Sequence, residues 1–226
     1  ILGMKLVLAS QGFTTKDIAE ATASLAGKSL GSLNVAIINE AYIPIGPGRD
    51  QGWLINELSL IIKYVKGDIS FVNLRAYSYG EVLQRLEFAD VIYIVGGSQL
   101  ILPRLFKDTG FDKILTGLVE SKVIFGTSAG ACVLGRQIND PLYWRDQYGS
   151  VDAYIAEPFL ELVDFNILPH FAREDHPRRT SEIVGPLLRD NPFLLYGLTD
   201  TQAVIQDGEH RKFIGGDPIV FGSDKK

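Results

Sequence analysis

Short apolar runs alternate with helical patterns almost from one end of this chain to the other. Met4–Ser10, Val35–Asn39, Ile69–Leu74, Val91–Val95 and Val123–Gly126 are rich in Val, Ile and Leu and bounded by Gly, Asp, Asn or Ser. Runs of that length and composition are predicted to be buried strands. Helical patterns lie over Thr14–Ala26, Gln51–Lys66, Tyr79–Phe88 and Ser98–Ser121. Thr14 and Thr15 suit a helix N-cap, and Gly27 suits a helix stop. Strands that are apolar throughout and alternate with helices indicate a parallel sheet covered on both faces. Right-handed crossovers then leave chiefly doubly wound topologies. The predicted fold class is therefore α/β, a doubly wound, mostly parallel sheet flanked by helices, in one domain over residues 1–226. Sheets of this kind bind ligands outside the carboxyl ends of their strands. Gly96-Gly97 and Ser128 both fall at such ends.

Beyond residue 138 the rhythm changes. Residues 139–156 mix aromatic, charged and glycine residues and are expected to form an irregular excursion, a candidate lid. Phe165–Leu168 is predicted to be a further strand, and Pro177–Arg189 a charged helix opened by Pro177. Leu194–Leu198, Ala203–Gln206 and Arg211–Ile214 follow as strands, the last two joined through Asp207-Gly208 as a hairpin. There is no internal repeat, low-complexity tract or linker.

Composition narrows the class of partner. The 226 residues are 46% hydrophobic and 22% charged, with a formal net charge of −5. No Lys/Arg run exceeds two residues, so neither the balance nor its distribution suits nucleic acid as the main partner. The single cysteine, Cys132, excludes an intramolecular disulfide and fits a reducing compartment. Met4, behind Ile1-Leu2-Gly3, is expected to be the natural start. No leader or membrane-spanning stretch is read, and the expectation is a soluble, cytoplasmic protein without a membrane partner. There is no His/Cys cluster, HExxH or CxxC, and no phosphate loop, so neither a metal nor another cofactor is expected.

The chemistry concentrates at Lys122–Ala131, where an apolar strand runs into Gly126-Thr127-Ser128-Ala129-Gly130 and a small-residue helix. That is the strand–turn–helix layout of a nucleophile elbow, G-x-S-x-G, which exposes a serine hydroxyl at the start of a helix. A nucleophilic serine needs a base, an acid to orient that base, and donors for an oxyanion. Among three histidines, His176 lies in a charged loop and His210 beside a hairpin turn. His170 follows the strand Phe165–Leu168 and Pro169. If that strand runs parallel to the Ser128 strand, both side chains open onto one edge, so His170 is the candidate base. For the acid, Asp140, Asp146, Asp152, Glu157 and Asp164 all lie between Ser128 and His170, and composition does not choose among them. The Ala129 amide, immediately after the serine, is the first expected oxyanion donor, and the Gly97 amide the second.

Val95-Gly96-Gly97-Ser98, Gly126–Ala131, Asn139-Asp140-Pro141 and Leu168-Pro169-His170-Phe171, in that order, resemble the S51 serine peptidases. That family includes dipeptidase E, the aspartyl dipeptidase, and the cyanophycinases, and the resemblance covers most of the chain. It implies a fold like the class I glutamine amidotransferases, with serine in place of their elbow cysteine. It implies a Ser128/His170 pair with Asp140 as the third member and Glu157 in reserve. It further implies serine-type hydrolysis of small peptides near the N-terminus, with Asp-X among the candidate substrates, by a monomer or homodimer. An arginine downstream of the histidine would hold an acidic side chain, Arg179 first and Arg178 and Arg173 after it. Here Gly96-Gly97-Ser98-Gln99 replaces the longer glycine element and Asn of the dipeptidase branch. The alternatives from the residues themselves are an esterase-type serine hydrolase and a non-catalytic small-molecule binding module.

Overall fold

The parallel heart of the molecule follows the apolar runs of the sequence. The computed structural model describes residues 3–42, 50–149 and 157–223. Its strands are β1 (Lys5–Ala9), β2 (Val35–Ile38), β3 (Ile69–Phe71), β4 (Val91–Ile94), β5 (Val123–Thr127), β6 (Asn166–Leu168), β7 (Leu195–Gly197), β8 (Ala203–Asp207), β9 (His210–Ile214) and β10 (Ile219–Phe221). Its helices are α1 (Lys16–Leu25), α2 (Gly52–Tyr64), α3 (Tyr79–Phe88), α4 (Ile101–Thr109), α5 (Phe111–Leu118), α6 (Ala129–Cys132), α7 (Pro141–Tyr148) and α8 (Ser181–Leu188).

Seven strands form one sheet in the order β3-β2-β4-β5-β1-β8-β9. The first five are parallel, while β8 and β9 add antiparallel pairings at one side. Successive side chains on a strand point to opposite faces, and here both faces are buried. Leu6, Leu8, Ile92, Ile94 and Ile124 pack beneath α3, α4 and α5. Val7, Val35, Ile37, Val91, Tyr93 and Phe125 face α1 and α2. On that second face Tyr93 and Phe125 stack with centroids 4.5 Å apart, and Phe13 meets both rings edge-on. This is a doubly wound sheet, as the continuous apolar strands predict. Thr15 caps α1 through the Ile18 amide, and none of the helices among the described residues is long and apolar enough to cross a membrane.

Four details differ from expectation. The helical pattern over Ser98–Ser121 is two helices, because Gly110 takes φ 71 and turns the chain between α4 and α5. The helix expected from Pro177 starts at Ser181 behind Thr180; Ala172 N donates to the Arg179 carbonyl and holds the preceding residues in turns. Within the 139–156 excursion, a candidate lid, Asp140-Pro141 opens α7, while residues 150–156 lie outside the described residues. The strand before His170, β6, belongs to a second sheet of order β10-β7-β6, parallel to β7 rather than to β5. Asn166 fastens that sheet to the elbow by donating to the Cys132 and Arg136 carbonyls at 3.0 and 2.6 Å.

The elbow is packed backbone against backbone. Cys132, buried one turn below Ser128, points its thiol at the Ile167 carbonyl, 3.6 Å away, and burial pushes the thiol up to about 12. A Cβ on Gly130 would stand 2.3 Å from the Ile94 carbonyl oxygen, whereas one on Gly117 would meet nothing within 4 Å. The same change at two helical glycines should therefore have opposite signs. Gly117→Ala is expected to stabilise by up to about 1 kcal/mol through helix propensity. Gly130→Ala is expected to destabilise by about 1–3 kcal/mol or more through overpacking, both read from the midpoint of chemical denaturation.

Candidate active site

Ser128 sits where the strand of one element must become the helix of the next within a single residue. It takes φ 52 and ψ −118, in a region that non-glycine residues seldom occupy and that costs of order 1–3 kcal/mol. The surroundings hold it there. Its amide donates to the Ala9 carbonyl at 3.0 Å, and its own carbonyl accepts from the Ala131 and Cys132 amides at 3.0 Å each. With the backbone fixed on both sides, the hydroxyl projects past the carboxyl ends of β1, β4 and β5.

His170 arrives at the same place from the second sheet. The Leu198 amide donates to the Leu168 carbonyl and the Phe171 amide to the Leu198 carbonyl, clamping Pro169-His170 beside the end of β7. His170 has φ 57, and its amide donates to Ser10 Oγ at 2.7 Å. The imidazole Nε2 stands 3.0 Å from Ser128 Oγ. Its Nδ1 stands 2.7 Å from Asp200 Oδ1. A carboxylate on Nδ1 fixes the proton there and leaves the Nε2 lone pair facing the serine.

Asp200 was missed by sequence reasoning, which sought the acid between Ser128 and His170. It lies at the end of β7, the parallel neighbour of β6, so the clamp that positions His170 also brings in Asp200. A polar residue just past a strand's carboxyl end was the available signal. Asp200 Oδ1 also accepts from Ser10 Oγ at 2.9 Å, and Oδ2 from Arg173 Nη1 at 2.9 Å. Thr14 Oγ1 donates to the Asp200 carbonyl at 2.6 Å. Burial alone would push this carboxyl up, but the hydrogen bonds from His170, Arg173 and Ser10 outweigh it and hold Asp200 at about 2. His170 is displaced downward from its ordinary 6.5: burial lowers it most, Asp200 pulls it back up, and Arg173 and Arg179 lower it further.

Asp140 and its reserve Glu157 are elsewhere, and Asp152 lies outside the described residues. Asp140 does not reach the imidazole. Its Oδ1 caps α7, accepting from the Leu142 and Tyr143 amides at 2.7 and 3.4 Å, and it borders a separate cleft with Arg136 and Pro186. Glu157 pairs with Lys107 at 2.7 Å.

The three predicted arginines are already engaged. Arg179 is buried and donates to the Pro169 carbonyl at 2.7 Å. Arg178 pairs with Asp146. Arg173 borders the cavity, but it donates to Asp200, to Gln11 Oε1 at 3.0 Å and to both oxygens of Asp175. Its Nη1 is 3.1 Å from His170 Nδ1, two donors converging on one carboxylate rather than bonding to each other.

Ser128 and His170 open into a cavity of about 400 Å³ that also touches Gly96, Gly97, Trp53 and Glu57. Gly97 takes φ 144, and a Cβ there would stand 2.7 Å from the Ala41 carbonyl oxygen, so only glycine fits this wall. Ala129 opens α6 directly after the serine. Among the described residues, no group of three or more His, Cys, Asp or Glu side chains is placed to hold a metal ion.

Comparison with known proteins bears on the fold and the family. An uncharacterized peptidase of Listeria monocytogenes is 34% identical over 110 residues, covering 47% of this chain and 52% of the relative. One from Listeria innocua is 32% identical over 114 residues, covering 48% and 52%. The aligned part thus spans about half the length of these curated relatives. An uncharacterized peptidase of Pasteurella multocida is 24% identical over 142 residues, covering 62% and 67%. Among solved structures, a putative peptidase E protein from Listeria monocytogenes shares the fold with a TM-score of 0.74 at 21% identity, over 93% of this chain and 97% of that one. A peptidase from an acI-B1 actinobacterium superposes with a TM-score of 0.69 at 17% identity, over 99% and 96%. The model of peptidase family S51 matches residues 6–214, and the chain belongs to that family.

Proposed function

We propose that this protein is a serine-type peptidase acting on small peptides near their N-terminus, with Ser128 as nucleophile, His170 as general base and acid, and Asp200 as the orienting carboxylate. The observation that carries this is the line from Ser128 Oγ through His170 Nε2 and Nδ1 to Asp200 Oδ1, at 3.0 and 2.7 Å. In the proposed cycle Ser128 Oγ attacks the peptide carbonyl while His170 Nε2 takes its proton. Asp200 keeps the imidazole in the required tautomer and stabilises the imidazolium. The Gly97 and Ala129 amides hold the oxyanion. His170 then protonates the leaving amine, and water, activated by the same imidazole, releases the acyl group from Ser128. The cavity of about 400 Å³ suits a short peptide. Arg173, Arg178 and Arg179 are bound to internal acceptors, so the substrates proposed are not restricted to Asp-X.

The test is hydrolysis of a panel of dipeptides and aminoacyl anilides, Asp-X beside Leu-X and Ala-X. Ser128→Ala should abolish turnover. Asp200→Asn should lower kcat by about 10⁴, the cost of a wrong imidazole tautomer in related triads. Asp140→Ala should leave kcat unchanged and cost about 1 kcal/mol of stability as a lost helix cap. The opposite outcome, kcat falling with Asp140 and not with Asp200, would refute the assignment.

The pH profile offers an independent check. The base must be neutral, so kcat, read at saturating substrate where the Glu57 carboxylate is already engaged, should rise with pH. Because burial lowers His170, the midpoint of the rise should lie below 6.5. The Asp200 carboxylate raises His170, so the residual activity of Asp200→Asn should show a midpoint displaced still lower. A midpoint above 6.5 in the parent would contradict the environment described for His170.

A further inference from the structure

Glu57 occupies a position that the helix pattern reserves for an apolar residue. Leu54, Glu57 and Ile61 are the buried residues of α2, at the spacing of one helix face. Glu57 is 4% exposed. A carboxylate in such a place is costly unless a cation or several donors meet it. One donor does: Tyr93 Oη, 2.8 Å from Oε1. Among the described residues no Lys, Arg or His forms an ion pair with Glu57. The neighbouring cation of the cavity, Arg173, is held by Asp200 and Asp175. Burial pushes the Glu57 carboxyl up to about 7, against the lowering pull of the Tyr93 and Thr127 hydroxyls. Yet this carboxyl borders the same cavity as Ser128 and His170.

We propose that Glu57 is the residue that binds the substrate's ammonium group, a buried carboxylate that meets no cation among the described residues and takes one from the peptide that enters the cavity. The inference rests on the peptidase assignment above and extends it to substrate class: peptides with a cationic amine beside the scissile bond. The wall around Glu57 is built for a fixed position. Tyr93 is stacked on Phe125 and keeps the carboxylate from swinging. Gly12 lets the chain pass so close that a Cβ there would lie 3.2 Å from Glu57 Oε1. A blocked amine would leave the carboxylate without its partner and the substrate without an anchor. The ammonium has two sources, a free α-amine or a lysine-type side chain, and they are separable by experiment.

The nucleophile is scored first and by itself, by labelling with a fluorophosphonate. Binding is then measured calorimetrically on the Ser128→Ala protein, where turnover cannot interfere. The probes are Ala, Leu and Asp dipeptide amides with free α-amines, the same compounds N-acetylated, and Nα-acetyl-lysine amide. The free amines are expected to bind at least tenfold more tightly than their acetylated counterparts. Adding Glu57→Gln should erase that difference, and in the active enzyme Glu57→Gln should raise KM at least tenfold with a smaller effect on kcat. Glu57-dependent binding of Nα-acetyl-lysine amide alone would support the ammonium site with the side chain as its source. A labelled Ser128 with equal binding of free and blocked peptides and no binding of Nα-acetyl-lysine amide overturns the inference, and that comparison requires no variant at Glu57. A Ser128 that resists labelling counts against the peptidase itself and removes the ground on which the amine site stands.

Discussion

The Asp200 carboxylate joins stretches of chain that have little else in common. Its two oxygens receive His170, Ser10 and Arg173, from the second sheet, the end of β1 and the loop beyond His170. Each donor has a second task. Ser10 accepts from the His170 amide, and Arg173 carries on to Asp175 and Gln11. A half-buried carboxylate with three charged or polar donors is worth more than the sum of isolated pairs, because each bond fixes the geometry of the next. The tautomer of His170 and the shape of the cavity rim both depend on that one group staying ionised.

How much of this could be read from the chain alone follows the range of each interaction. The parallel strands and the elbow are local: apolar runs, small residues and a strand-to-helix turn announce themselves within ten residues. Ser128 and His170 were legible because each lies at a strand end. Asp200 obeys the same rule, but its partners are 30 and 190 residues away, and the search for an acid was confined to the interval between Ser128 and His170. Asp140 illustrates the opposite trap. Asn-Asp-Pro suits a carboxylate near a nucleophile and a helix start equally well, and the Asp140 Oδ1 is taken by the first amides of α7. The membership of β6 in a separate sheet was hidden for a related reason. A three-residue apolar strand fits any neighbour, and Asn166 reaching back to Cys132 and Arg136 decides which one it takes.

The charges around the cavity follow a consistent plan. The arginines are neutralised in place, Arg173 by two carboxylates, Arg178 by Asp146, and Arg179 held against a backbone carbonyl. Among the described residues Glu57 is the exception, a buried carboxylate met by one donor, the neutral Tyr93 hydroxyl. A site arranged this way offers little to an incoming anion and considerably more to a cation. On the proposed reading the two tasks are separated by distance along the chain, with bond cleavage at the ends of β5, β6 and β7 and recognition on α2.

The sole cysteine sits where the two sheets meet. Cys132 lies in the first turn after Ser128, its carbonyl tied to Asn166 and its thiol pressed toward β6. In the folded protein it is shielded from solvent and strongly disfavours the thiolate, so alkylating reagents must wait for an opening event. The rate at which this one sulfur becomes modified therefore clocks the parting of the second sheet from the elbow. Nature has left a built-in reporter, needing no added label, on the joint that keeps serine and histidine within reach of each other.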